Sequence, residues 1–211
     1  MQDPPASSVA GWPSWLHCQL DSAAAGICLV TLLSSAACAD ETRYSQSPET
    51  GVATWETQTD QVHLRMTQIT PDQARAFMAA RGLDEKSVEE FAHHCVFMTV
   101  LRNASKRPIT YCMAEWRYIP EDGVPQVMLT KHDWLARFQN RHLAQPVKLA
   151  FEWSQFPVEQ TFHPGDWNQG MTTFELPPGS RFDVVYSWRQ GKTLHEGTLK
   201  NVQCMAPVPA P

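Results

Sequence analysis

Val96-Phe97-Met98-Thr99-Val100-Leu101-Arg102 is the stretch that decides the fold. Just before it, Val88, Phe91, Ala92 and Cys95 recur at i, i+3, i+4 and i+7, the period of a helix. From Cys95 onward the period becomes two, the period of a strand. Asn103-Ala104-Ser105-Lys106-Arg107-Pro108 then reads as a turn and Ile109 to Tyr118 as the return strand of a hairpin. Asn103-Ala104-Ser105 also matches a glycosylation acceptor, which matters only in a eukaryotic secretory pathway.

Upstream, Val62, Leu64 and Met66 alternate with polar residues as a strand. A helix signal follows: Thr70 as N-cap, Pro71 at the first helical position and Gln73 completing a capping box. Gly82 ends this helix and Asp84 caps a second one, so a helical hairpin is expected over about 71–94. Residues 40–60 are polar and turn-rich and read as a linker. Downstream, Val124 to Leu129 forms a third strand after the hairpin. Thr130 to Asp133 caps a short helix near 131–142 that carries Trp134, Leu135 and Phe138 on one side. Pro146 closes that region. Val147, Leu149, Phe151 and Trp153 then alternate like a half-buried strand. Two Pro-Gly turns follow, within Phe162–Asp166 and Leu176–Ser180. Phe182, Val184, Tyr186 and Trp188 alternate again, and Gly191-Lys192 turns into a last strand, Thr193 to Cys204.

About eight short strands at close spacing indicate an antiparallel sandwich or barrel. Phe174-Glu-Leu-Pro-Pro-Gly-Ser-Arg-Phe-Asp-Val-Val-Tyr186 is similar to a strand–turn–strand unit of immunoglobulin-like accessory domains in exported bacterial proteins. So is Thr99-Val-Leu-Arg-Asn-Ala-Ser-Lys-Arg-Pro-Ile-Thr110. The resemblance implies a mainly β, immunoglobulin-like sandwich with an inserted helical hairpin, and it brings no catalytic residues. One domain is expected over 61–204, followed by a disordered Pro-rich tail, 205–211.

The apolar run Ala23 to Leu33 leads into Ala37-Cys38-Ala39, the small-x-small pattern of an export signal cleaved after Ala39. Residues 1–39 thus read as a leader, and the rest as periplasmic or secreted. All 17 Lys and Arg lie after the leader, so its usual positive start is missing. A misassigned start codon, an uncleaved membrane anchor, or a lipoprotein through Cys38 stand beside the cleavage reading. The net charge is −5 and no long basic run occurs, which argues against a nucleic-acid partner. Nothing after the leader is long and apolar enough to span a bilayer as a helix.

Cys95, Cys112 and Cys204 follow the leader. A Cys95–Cys112 bridge across a hairpin would be strained. Cys95–Cys204 would tie the last strand to an early one, leaving Cys112 as a buried thiol. Soft thioether and imidazole ligands suit copper, and the densest groups are His93, His94 and Met98, and His163 with Met171. A copper site needs at least three of these five at one point. The alternative for each is structural: His at a helix end, Met in a core. Asp166, Trp167 and Asn168 stand in a Gly-rich loop, Pro164 to Gly170, which could hold a sugar or peptide; Trp116, Trp153 and Trp188 read as core filler.

Catalytic signatures are missing: no Gly-x-Ser-x-Gly, His-Glu-x-x-His or Cys-x-x-Cys occurs. His94 and Cys95 are adjacent and point to opposite sides of a strand, so they do not form a dyad. Glu115, Glu152 and Asp166 form no pattern beyond what any such domain offers. The expectation is a non-catalytic exported accessory module without a cofactor, acting on a partner protein. A copper-binding accessory protein is the alternative, and a carbohydrate-binding sandwich a further one.

Overall fold

The computed structural model describes residues 41–206. In chain order it runs β1 (Arg43–Gln46), β2 (Ala53–Gln58), β3 (Val62–Gln68), α1 (Pro71–Ala79), α2 (Glu85–Ala92), β4 (Cys95–Asn103), β5 (Ile109–Cys112), β6 (Arg117–Pro120) and β7 (Gln126–Val127). It continues with α3 (Lys131–Arg137), α4 (Gln145–Ser154), β8 (Glu159–Phe162), β9 (Trp167–Phe174), β10 (Arg181–Gln190) and β11 (Thr193–Gln203). The first sheet has the order β1-β2-β3-β4-β9. In the second, β10 pairs β11 on one edge and β6 and β5 in succession on the other; β7 and β8 lie outside those. All these strand pairs are antiparallel, so the chain is a mainly β sandwich, as expected.

The sandwich core follows from alternation. Val62, Leu64 and Met66 of β3, with Phe97 and Leu101 of β4, face Phe182, Val184, Tyr186 and Trp188 of β10. Trp116 sits among Tyr111, Phe156 and Tyr186, and its indole N–H donates to Ser187 O at 2.9 Å. Cys95 at the start of β4 is bridged to Cys204 just past β11, with Cα atoms 5.2 Å apart, so one covalent bond joins the two sheets. Cys112 departs from expectation: it is half-buried and itself disulfide-bonded.

The helices add a third layer on the other face of the first sheet. Thr70 caps α1 with a full capping box, Asp84 accepts from Ser87 N, and Thr130 forms a second box with Asp133. Met78, Phe91, Trp134, Phe138 and Phe151 pack on Val96 and Met171 of the sheet. Trp134 donates its indole N–H to Thr173 Oγ1 at 2.7 Å, which anchors α3 to β9.

Three further expectations are corrected. Residues 43–58 are not a linker: β1 and β2 complete the first sheet, with Ala53, Trp55 and Thr57 buried. Two of the three inward residues, Ala and Thr, are weakly apolar, which hid the strand. Residues 147–153 form α4 instead of a strand. Pro146 opens that helix and does not end the previous region; Val147 and Phe151 turn inward, while Trp153 is 80% exposed. The expected loop 164–170 is a turn followed by strand β9. The leader, Cys38, the cleavage site and most of the tail lie outside the described residues.

Candidate functional site

Register lays out the outer face of the first sheet in rows. Ser45 stands opposite Thr54, Thr54 opposite Thr67, Thr67 opposite Met98 and Met98 opposite Met171. Directly opposed residues share a face, so these five form one line across the sheet. The Thr54 and Thr67 hydroxyls are hydrogen-bonded at 3.0 Å. Above the line, α1 presents Phe77 and Gln73, and the β1–β2 turn contributes Ser47, Thr50 and Val52. Together they border an open groove of about 650 Å³. Its floor is two thioethers with Ile69 and Phe77, and its rim is hydroxyls and amides. None of its lining residues is charged.

The groove holds its shape because each side is fixed independently. Gln68 is buried, accepts from Ala53 N at 3.0 Å and donates to Gln203 O at 2.7 Å, tying β2, β3 and β11 together. Arg81 lies over the Phe77 ring at 3.2 Å and donates to Phe77 O, which orients that ring. Burial lowers the pKa of the Arg81 guanidinium.

Of the five candidate copper ligands, only Met98 and Met171 come together, side by side in this groove. His93 is exposed beyond the end of α2, its Nδ1 2.6 Å from Glu89 O. His94 packs edge-on against Trp134, its Nδ1 2.8 Å from Glu90 O and its Nε2 3.2 Å from Arg137 Nη1. Arg137 can only donate, so Nε2 accepts and Nδ1 carries the proton. His163 stands in the turn before β9. Met171 is four strand residues past Trp167, about 13 Å away, so His163 and Met171 do not converge. Among the described residues no group of three or more His, Cys, Asp or Glu could hold a metal.

The candidate ligand loop is used internally. Asp166 accepts from His163 N at 2.8 Å and closes its own turn, and Asn168 donates to Gln160 Oε1 at 2.8 Å. Trp167 remains 58% exposed on the sheet. Glu115 is paired with Arg189 at 2.7 Å, and Glu152 lies on α4. Asn103 is buried, donating to Arg107 O and Phe162 O, so it has a structural role in its turn.

The His94 pKa is lowered, first by burial and then by the Arg137 charge, against Glu175 and Glu90, which raise it. A neutral histidine in the fold that ionises on unfolding makes stability fall as pH drops below its ordinary value of about 6.5. A His94→Gln variant is expected to show a shallower loss of unfolding free energy between about pH 7 and about pH 5. Urea titrations across that range check this; equal slopes would mean that His94 does not set the pH response.

No family model matches the chain, and no curated protein matches its sequence.

Proposed function

We propose that the protein is a non-catalytic accessory module of the exported, oxidising compartment, of immunoglobulin-like type. In this reading it holds an extended, uncharged segment of a partner protein in the groove between α1 and the first sheet. The observation that carries the reading is the composition of that groove: an apolar floor with a hydroxyl and amide rim, and no ionisable group. Such a lining offers no ionisable side chain to act as general acid or base or to activate its hydroxyls. It does offer what a peptide needs, adaptable apolar contacts and polar groups that satisfy a backbone. Among the described residues the neighbouring strand β1 is an edge of the sheet and pairs only with β2, which leaves its other side for strand addition. The Cys95–Cys204 disulfide is compatible with an oxidising compartment, and no helix among the described residues is long and apolar enough to cross a membrane.

The test is selection from a displayed peptide library, followed by a Phe77→Asn, Met98→Asn double variant. The expected result is a family of uncharged peptides with alternating apolar residues. Their affinity should fall by about tenfold or more in the variant, the loss of one or two buried apolar contacts. Recovered peptides that bind the variant equally well would refute the groove as the site.

A further inference from the structure

Among the described residues, no helix packs on the rows beyond the groove. Arg43, Glu56, Arg65, Val100 and Gln169 form the next line across the sheet. Gln58, His63, Arg102 and Trp167 form the one after. Arg65, Arg102, Gln169 and Trp167 are all exposed. The face carries three arginines and one carboxylate, and that carboxylate, Glu56, is 3.3 Å from His63 Nε2. Among the described residues no carboxylate forms an ion pair with Arg65 or Arg102. At the adjoining turns, Asp60 and Asp166 are matched by Lys106 and Arg107. A locally cationic face therefore stands on a chain whose net charge is −5.

We propose that this face binds a carboxylated polysaccharide chain, lying flat across β3, β4 and β9. Three features select that ligand, independently of the groove. Trp167 presents an open aromatic ring at one end, and the C–H face of a sugar ring stacks on the negative face of an indole. Arg102 is directly opposite Trp167 in the register, and Arg65 lies one row further on and one strand over. Guanidinium groups pair with carboxylates bidentately, so successive acidic sugars would meet them in turn. Finally, β3 pairs on both edges, with β2 and β4, and β4 with β3 and β9. Their main-chain groups are consumed, so the face offers an acidic peptide no backbone partners, whereas a sugar needs none. Gln169 and Gln58 supply amides for hydroxyl groups.

The experiment is affinity electrophoresis of the purified full chain in gels containing polygalacturonate, neutral dextran or poly-L-glutamate. Polygalacturonate is expected to retard the protein strongly, poly-L-glutamate weakly, and dextran not at all. Trp167→Ala should weaken polygalacturonate binding by about tenfold, and Trp167→Phe should retain most of it. Arg65→Gln with Arg102→Gln should weaken it by about a hundredfold and remove most of its salt dependence. All three positions are exposed, so folded variants are expected. No retardation by polygalacturonate would overturn the proposal. Equal retardation by poly-L-glutamate, with indifference to Trp167→Ala, would also overturn it and leave a face that attracts any polyanion.

Discussion

Replacing Cys204 by Ser is expected to lower the unfolding free energy by about 4 to 5 kcal/mol. The bridge to Cys95 spans 109 residues of sequence, so it removes a large share of the denatured chain's freedom. In the folded protein the two cysteines are already adjacent, brought there by packing of the two sheets over Phe97, Phe174 and Phe182. The stabilisation therefore acts mainly on the unfolded chain. Two signatures follow in urea titrations of tryptophan fluorescence. The midpoint should fall, and the slope with denaturant should steepen because the unlinked chain exposes more surface. Treating the native protein with a thiol reductant, which also opens the Cys112 bridge, should lower the midpoint at least as far as the variant does. A loss below about 1 kcal/mol with an unchanged slope would mean that the denatured chain stays compact without the bond.

Gly170→Ala is expected to cost about 3 kcal/mol or more, the effect of forcing volume into a closed core. Gly170 lies on β9 opposite Thr99, and the chain leaving α4 crosses it closely. A Cβ there would stand 2.5 Å from the Gln155 carbonyl carbon and from the Phe156 Cα. Both are backbone atoms, so no side chain can rotate away. The close crossing lets Phe156 N donate to Met171 O at 2.9 Å and places the Phe156 ring against Tyr111 and Trp116 inside the sandwich. Alanine would push Phe156 out of one core and shift α4 in the other. Thermal unfolding of the variant, with near-ultraviolet circular dichroism to follow the aromatic environment, checks this. A change of less than about 1 kcal/mol would show that the crossing has slack.

What the sequence revealed depended on whether the signal was local. Thr70 with Gln73, Asp84 with Ser87, and Thr130 with Asp133 are short-range caps, and each opens the helix it was read to open. The alternation of residues 96–102 and 182–188 marked central strands correctly because both are lined on the core side by large apolar side chains. Region 147–153 misled because Val147, Leu149, Phe151 and Trp153 satisfy a period of two by coincidence, two of them being apolar residues left in solvent. Pro146 was the better guide, a helix opener like Pro71. The pairing of Cys95 with Cys204 was legible from spacing and strain. The groove was not: its lining joins Ser45, Thr54, Thr67, Met98 and Met171 from five strands, and only register brings them into line. Register depends on the pairing of distant segments, which composition and period do not encode.

The same disulfide has a mechanical meaning. A pull applied beyond Cys204 would ordinarily peel β11 from β10 one residue at a time, the easiest way to open an antiparallel pair. Here the tension passes through the sulfur atoms to the first residue of β4 instead. That strand is held along both sides by β3 and β9, so many hydrogen bonds must be sheared at once. A module tethered by its C-terminal end would therefore resist traction from that side far better in its oxidised form than in its reduced one, where β11 simply unzips.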